Sequence, residues 1–167
     1  QTHHLYVDTY IAQGNKFLHQ NQREKACEAF DQSFKLRQDA FGANPGTALG
    51  AWMILEVTFL IAETQQSLGH ADRAVTVLLA GKKLTQHLKA LATEEPQQRE
   101  RILRSVDSEI HTAEARYSQY PKFTSVRCQL GLALSAKAAV LEAEGKTAEA
   151  LKAQLRSDQF FAEVLGN

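Results

Sequence analysis

Gly69-His70-Ala71-Asp72-Arg73-Ala74-Val75 and Gly145-Lys146-Thr147-Ala148-Glu149-Ala150-Leu151 follow one pattern. Each puts a glycine after a long apolar-periodic run and a small residue five positions later, early in the next run. A left-handed closing residue is cheap only for glycine, so each glycine should end one helix while each alanine sits in the first turns of the next. Asn21-Gln22-Arg23-Glu24-Lys25-Ala26-Cys27 fits with Asn in place of Gly. Read as a helix start, Asn21 can also cap, with Glu24 in the electropositive first turn. Aligned on Ala26, Ala74 and Ala150, the residue twelve earlier is Gly14, Ala62 or Ala138, and the residue seven later is Ser33, Gly81 or Ser157. Small residues at matched places let the two helices of a hairpin touch backbone to backbone.

The rest of the chain agrees with a helical reading. It holds 24 Ala and 20 Leu against 8 Val and 5 Ile, with 3 Pro and 9 Gly in 167 residues. Ala and Leu favour helix, β-branched residues favour strand, and the turn signals are too few for an all-β chain. The expectation is an all-α single domain over residues 1–167. Its helices are predicted at Leu5–Gln20, Gln22–Ala40, Thr47–Leu68, Ala71–Ala92, Gln97–Gln119, Lys122–Glu144 and Lys146–Leu165. Phe41-Gly42-Ala43-Asn44-Pro45-Gly46 reads as a loop, and Pro96 and Pro121 close two further junctions. Short connections make consecutive helices antiparallel neighbours, either in a bundle or in a stack of hairpins.

The three aligned windows resemble the tetratricopeptide repeat, a helix-turn-helix unit of about 34 residues. The family's small residue in its first helix falls on Gly14, Ala62 and Ala138. Its turn glycine falls on Gly69 and Gly145, and the alanine opening its second helix on Ala26, Ala74 and Ala150. The aromatic that follows is Phe30 in the first window, Leu78 in the second and Gln154 in the third. The alanines lie further apart than the family's period, and the loop after Phe41 resembles the kinesin-light-chain variety of repeat. Helix Gln97–Gln119 has no counterpart in this alignment. The resemblance implies an α-solenoid whose first helices line a concave groove that takes a peptide or a partner helix. The groove places it implies are Asp8, Ile11, Asn15, Leu18 and His19, then Glu56, Phe59, Glu63 and Gln66. Asn15 after Gly14 matches the asparagine of the carboxylate-clamp subset, but Ile11 stands where the clamp has lysine. With Glu56 and Glu63 in the groove, a partner carrying apolar and basic residues fits better than an anionic tail.

Charge and chemistry narrow the classes of function. Lys plus Arg equals Asp plus Glu at 19 each, which removes the electrostatic argument for nucleic acid. No stretch approaches the roughly 18–20 apolar residues of a membrane span, so no membrane insertion is expected. Gly145-Lys146-Thr147 lacks the upstream glycine of a phosphate loop, since Val140 stands there. Asp107, His111 and Glu114 share a helix face, but no Glu-x-x-His or HExxH accompanies them, so no metal or other cofactor is expected. Cys27 and Cys128 form no CxxC and read as buried, reduced thiols, which suits a cytoplasmic location. Arg99, Arg101 and Arg104 belong to the solvated face of a helix whose stripe is Ile102, Val106, Ile110 and Tyr117, with a phosphate or acidic-peptide site as the alternative. Nothing here points to an enzyme.

The expected function is therefore a non-enzymatic scaffold or adaptor that binds a protein or peptide. The alternative is a sensory or regulatory ligand-binding domain from a larger signalling or transcription protein. Beginning at Gln1, the chain reads as a fragment of something longer, which leaves an anchored or processed extracytoplasmic origin as the alternative location. In the last helix Leu151, Leu155, Ala162 and Leu165 make one stripe, expected to pack on the preceding helix. Phe160, Phe161 and Val164 would then meet a second surface, such as another copy of the chain or its missing remainder, with folding back into the core as the alternative.

Overall fold

The computed structural model describes the backbone of residues 2–43 and 47–165, and side chains from residues 7–39 and 47–165. Among these the chain forms seven helices and no strand: α1 (Thr2–His19), α2 (Arg23–Ala43), α3 (Ala48–Ser67), α4 (Ala71–Glu94), α5 (Pro96–Gln119), α6 (Thr124–Ala143) and α7 (Thr147–Leu165). Every predicted helix is present, with ends shifted by at most a turn. The expected loop from Phe41 is shorter than read, because α2 runs on to Ala43; Asn44, Pro45 and Gly46 lie outside the described residues.

The three quoted turns have one geometry. Asn21, Gly69 and Gly145 all have left-handed backbones, with φ of 57°, 82° and 78°. The amide after each reaches back five residues: Gln22 N–H to Phe17 O at 2.8 Å, His70 N–H to Gln65 O at 2.9 Å, Lys146 N–H to Leu141 O at 2.9 Å. This is the closing bond of a glycine-type helix end. Asn21 thus ends α1 rather than capping α2, since its backbone is left-handed where a cap is extended. Ala26, Ala74 and Ala150 are all buried in the following helix, and so are Ser33, Gly81 and Ser157.

The corner between α4 and α5 is built differently. Pro96 opens α5, where its missing N–H costs nothing. The Glu95 carboxylate accepts the Ala48 amide and so caps the start of α3. Arg99 donates from Nε to Ala92 O and from Nη2 to Thr93 O, taking up carbonyls at the end of α4. Arg104 pairs with Glu100 on its own helix. Arg99 thus serves the helix end and Arg104 the solvated face of its own helix.

Helix pairing corrects the alignment of the third window. Trp52 Nε1 donates to Ser105 Oγ at 2.9 Å and, further along both helices, Glu63 meets Arg116, so α3 and α5 run parallel. Thr85 meets Ser135 and Lys89 meets Glu142, so α4 and α6 run parallel too. The hairpin that repeats α3–α4 in sense is therefore α5–α6, whose turn at Tyr120–Phe123 lacks a glycine. Helix α6 runs antiparallel to α3, as Glu63 to Gln129 and Gln66 to Ser125 require. Helix α7 packs on α6 and runs parallel to α5, with Arg156 on Glu114 and Phe160 on Tyr117.

Helix α6 is the central element. Leu130, Gly131, Leu132, Ala133, Leu134, Ser135 and Ala136 are all buried in succession, so it has no solvent face there. It packs along α4, α5 and α7 and touches α3. The main core draws Trp52, Leu55 and Phe59 from α3, Leu78 and Leu88 from α4, Ile102 and Val106 from α5, and Phe160 and Phe161 from α7. A second, smaller core holds Ala26 and Phe30 of α2 against Val57 and Ile61 of α3.

Gly14 makes the close contact its alignment predicts. A Cβ there would lie well inside van der Waals distance of the Phe30 ring, which is fully buried and cannot swing away. Gly14→Ala should therefore cost roughly 1–3 kcal/mol by overpacking, read as a lower midpoint in urea denaturation. At Gly69 and Gly145 a Cβ would meet open space, so alanine there should cost only the left-handed backbone penalty of about 1–2 kcal/mol.

Candidate functional site

The groove places expected on α3 are taken up by the chain itself. Helix α5 lays Ile102, Val106, Ile110 and Ala113 into the core, and in doing so covers the face of α3 that was to be the groove. Phe59 is 1% exposed and tilts against Trp52 at 6.1 Å. Gln66 accepts a hydrogen bond from Ser125 Oγ. These residues are a helix interface, not an open recognition surface. The reason is α5, whose apolar stripe fills the space a foreign peptide would need.

Glu63 and Glu56 belong to a polar network in this interface. Gln129, on α6, is 2% exposed and serves three side chains. Its Nε2 donates to Glu63 Oε1 at 2.8 Å and to Glu109 Oε1 at 3.0 Å, while its Oε1 accepts from Arg116 Nη1 at 2.6 Å. The amide orientation is forced, because only nitrogen can donate to both carboxylates. Arg116 also lies 3.3 Å from Glu63. Burial raises the Glu56 carboxyl, opposed by Arg37 and Arg101. The same desolvation pulls the Arg37 guanidinium down, opposed by Glu56 and Asp8. Glu63 thus has an internal cationic partner in Arg116, which weakens the reason for expecting a basic partner in that groove.

On α1 the places remain open. Asp8, Asn15 and His19 are exposed, Leu18 is 36% exposed and Ile11 is half-buried. Helix α1 packs on α2, and no other described helix covers it. Asp8 lies 3.8 Å from Arg37 across the hairpin.

The remaining candidates resolve locally. Asp107 pairs with Lys137 at 2.8 Å and Glu114 with Arg156 at 2.6 Å, while His111 is exposed. Among the described residues no group of three potential ligands could hold a metal ion. Cys27 and Cys128 are both buried and free, and burial pushes each thiol up to about 11. Asp31 and Glu24 add to the effect at Cys27, whereas Arg127 opposes it at Cys128 and is outweighed. Thiols held protonated in this way are poor nucleophiles. No described helix is long and apolar enough to cross a membrane.

Helix α7 inverts its expected orientation. Phe160 is 7% and Phe161 2% exposed, both packed at the Gly131 backbone, and Val164 is half-buried. Tyr117 meets Phe160 edge-on at 5.3 Å, and Lys82 Nζ lies 4.4 Å over the Phe161 ring. Leu151, Leu155, Ala162 and Leu165 face solvent instead. The self-association expected from the two Phe side chains thus loses its basis, because α4, α5 and α6 already cover them.

Compared with known protein families, curated proteins and solved structures, the chain matches none. Its site must be read from its own residues. Sequence reasoning missed the Gln129 network, although a signal was available: Gln129 is a long polar side chain inside the apolar run Cys128–Leu134.

Glu109 makes this network sensitive to pH. Burial raises its carboxyl from 4.5 to about 7, reinforced by Glu63 and Glu56 and opposed by Gln129 and Arg116. The folded state therefore binds this proton more tightly than the unfolded chain. Stability from this group is complete below the unfolded value and falls as pH rises towards about 7, by roughly 3 kcal/mol in all. Glu109→Gln should remove that loss, so urea midpoints measured near pH 5 and near pH 8 should differ less than in the wild type. Phe160→Ala should cost roughly 3–5 kcal/mol through the cavity it leaves, while sedimentation equilibrium finds the same molecular mass as wild type.

Proposed function

We propose that the chain is a non-enzymatic protein- or peptide-binding module, built as a tetratricopeptide-like stack of helical hairpins. The supporting local design is the common geometry of the turns at Asn21 and Gly69, inside the first two hairpins, each followed by a buried small residue. In this reading α1–α2, α3–α4 and α5–α6 are successive hairpins and α7 is a closing helix.

The observation that carries the reading is the contrast between two sets of groove places. Those on α3 are sealed by α5 and α6, whereas those on α1 stay open, with Leu18 and Ile11 partly exposed between Asp8, Asn15 and His19. Ile11 already packs on the small core, so the apolar gain from a partner helix comes from Leu18 and is at most about 1.5–3 kcal/mol. The recognition face is therefore α1, and the partner is a peptide or helix with an apolar residue that seats on Leu18. A basic side chain in that partner meets Asp8.

Site-specific photo-crosslinking tests this. A photoreactive residue at Asn15 should give a discrete protein adduct in native extract, one at Thr93 should not, and Leu18→Glu should abolish the Asn15 adduct while leaving the circular dichroism spectrum unchanged. Absence of an adduct from every α1 position would remove α1 as the recognition face.

A further inference from the structure

On the side of the molecule away from the Gln129 network, α2, α3 and α4 enclose a cleft of about 280 Å³. Its floor is apolar. Ile54 is 4% exposed, Phe34 and Leu84 are half-buried, and the Thr58 hydroxyl is already spent on the Ile54 carbonyl at 2.9 Å. Its rim is polar and of one sign. Lys83 and His87 stand one turn apart on α4, Gln38 faces them from α2, and no carboxylate among the described residues lines the cleft.

The lysines of α4 make a useful contrast. Lys82 lies over the Phe161 ring and Lys89 pairs with Glu142, so both are engaged by the packing of α6 and α7. Lys83 points to the cleft instead and has no carboxylate partner among the described residues. Donors on two helices, above an apolar floor and without internal acceptors, fit a guest with a hydrocarbon body and one anionic end. Pockets for drug-sized ligands run to roughly 300–1,000 Å³, so this one suits a smaller guest.

We propose that this cleft binds a small apolar carboxylate, aromatic or branched aliphatic. Its hydrocarbon part lies on Phe34, Ile54 and Leu84, and its carboxylate is met by Lys83, His87 and Gln38. A cationic guest is repelled at the rim, and a neutral one forgoes the charge-assisted hydrogen bonds. The site lies apart from α1 and goes beyond the protein-binding reading, so either can fail without the other.

The test is a ¹H–¹⁵N correlation titration with 3-phenylpropanoate and, in parallel, its neutral amide 3-phenylpropanamide. The carboxylate should shift the amides of Phe34, Ile54, Thr58 and Leu84 in a saturable way, and the amide should bind at least about tenfold more weakly. Lys83→Glu combined with His87→Glu should abolish the carboxylate shifts while the rest of the spectrum stays folded. Ala80→Trp, which fills the mouth from an exposed position, should abolish binding of both probes. Shifts that are absent or scattered at millimolar probe, an amide that binds as well as the acid, or a charge-reversed double variant that still binds would each overturn the proposal.

Discussion

The structure depends on how closely other helices can approach α6. A helix with no solvent face must offer a short side chain wherever a neighbour crosses it, because interiors are packed to crystal-like density. Gly131 does this for α7: a Cβ there would stand 3.2 Å from the Phe161 ring and 3.3 Å from Phe160 Cβ. Ser157, fully buried on α7, donates to the Gly131 carbonyl at 2.6 Å and fixes the register of the crossing. On another side, Gly81 lets α4 close on α6, where an added Cβ would meet Leu132 at 3.0 Å. Small residues on both partners thus set which helices touch, and the larger ones fill what remains.

An apolar contact of this kind carries little directional information, and the Gln129 network supplies some. One amide ties α3, α5 and α6 together through Glu63, Glu109 and Arg116, each with a bond the others cannot replace. Sliding any of the three helices by a turn would leave a buried carboxylate or guanidinium without its partner, a heavier penalty than losing one methyl contact. The same network closes the face of α3 to outside partners. Helix α1, by contrast, packs on α2 and leaves Asp8, Asn15, Leu18 and His19 exposed.

Much of the secondary structure was legible because it rests on local chemistry. Gly69 and Gly145 end helices for the same backbone reason wherever they occur, and the seven helices follow from Ala and Leu periodicity broken at few places. The third hairpin was not legible, since the turn from Tyr120 to Phe123 has no glycine while the turn at Gly145 has the expected form. Local geometry says where a helix ends, not which later helix will lie parallel to it. The inversion of α7 has a physical cause as well. Leu and Phe gain comparably from burial, but the face that meets Gly131 takes Ser157 for close approach with the Phe160 and Phe161 rings beside it. Shape decided burial there. On α3, Phe59 lies in the core and Glu63 meets Arg116 of α5, whose position no local pattern announces.

The two cores meet on α3, which turns Leu55 and Phe59 towards one and Val57 and Ile61 towards the other. Such a division creates cooperative units of unequal strength. The α1–α2 hairpin is held by a small cluster, whereas α3 to α7 share a large one. Amide protons of α1 and α2 should therefore exchange with solvent through sub-global opening of the hairpin, well before α6 exchanges through global unfolding. A partner seated on α1, as we propose, would do more than occupy a surface: it would slow the opening of the weaker unit and lend that hairpin stability that grows with its affinity.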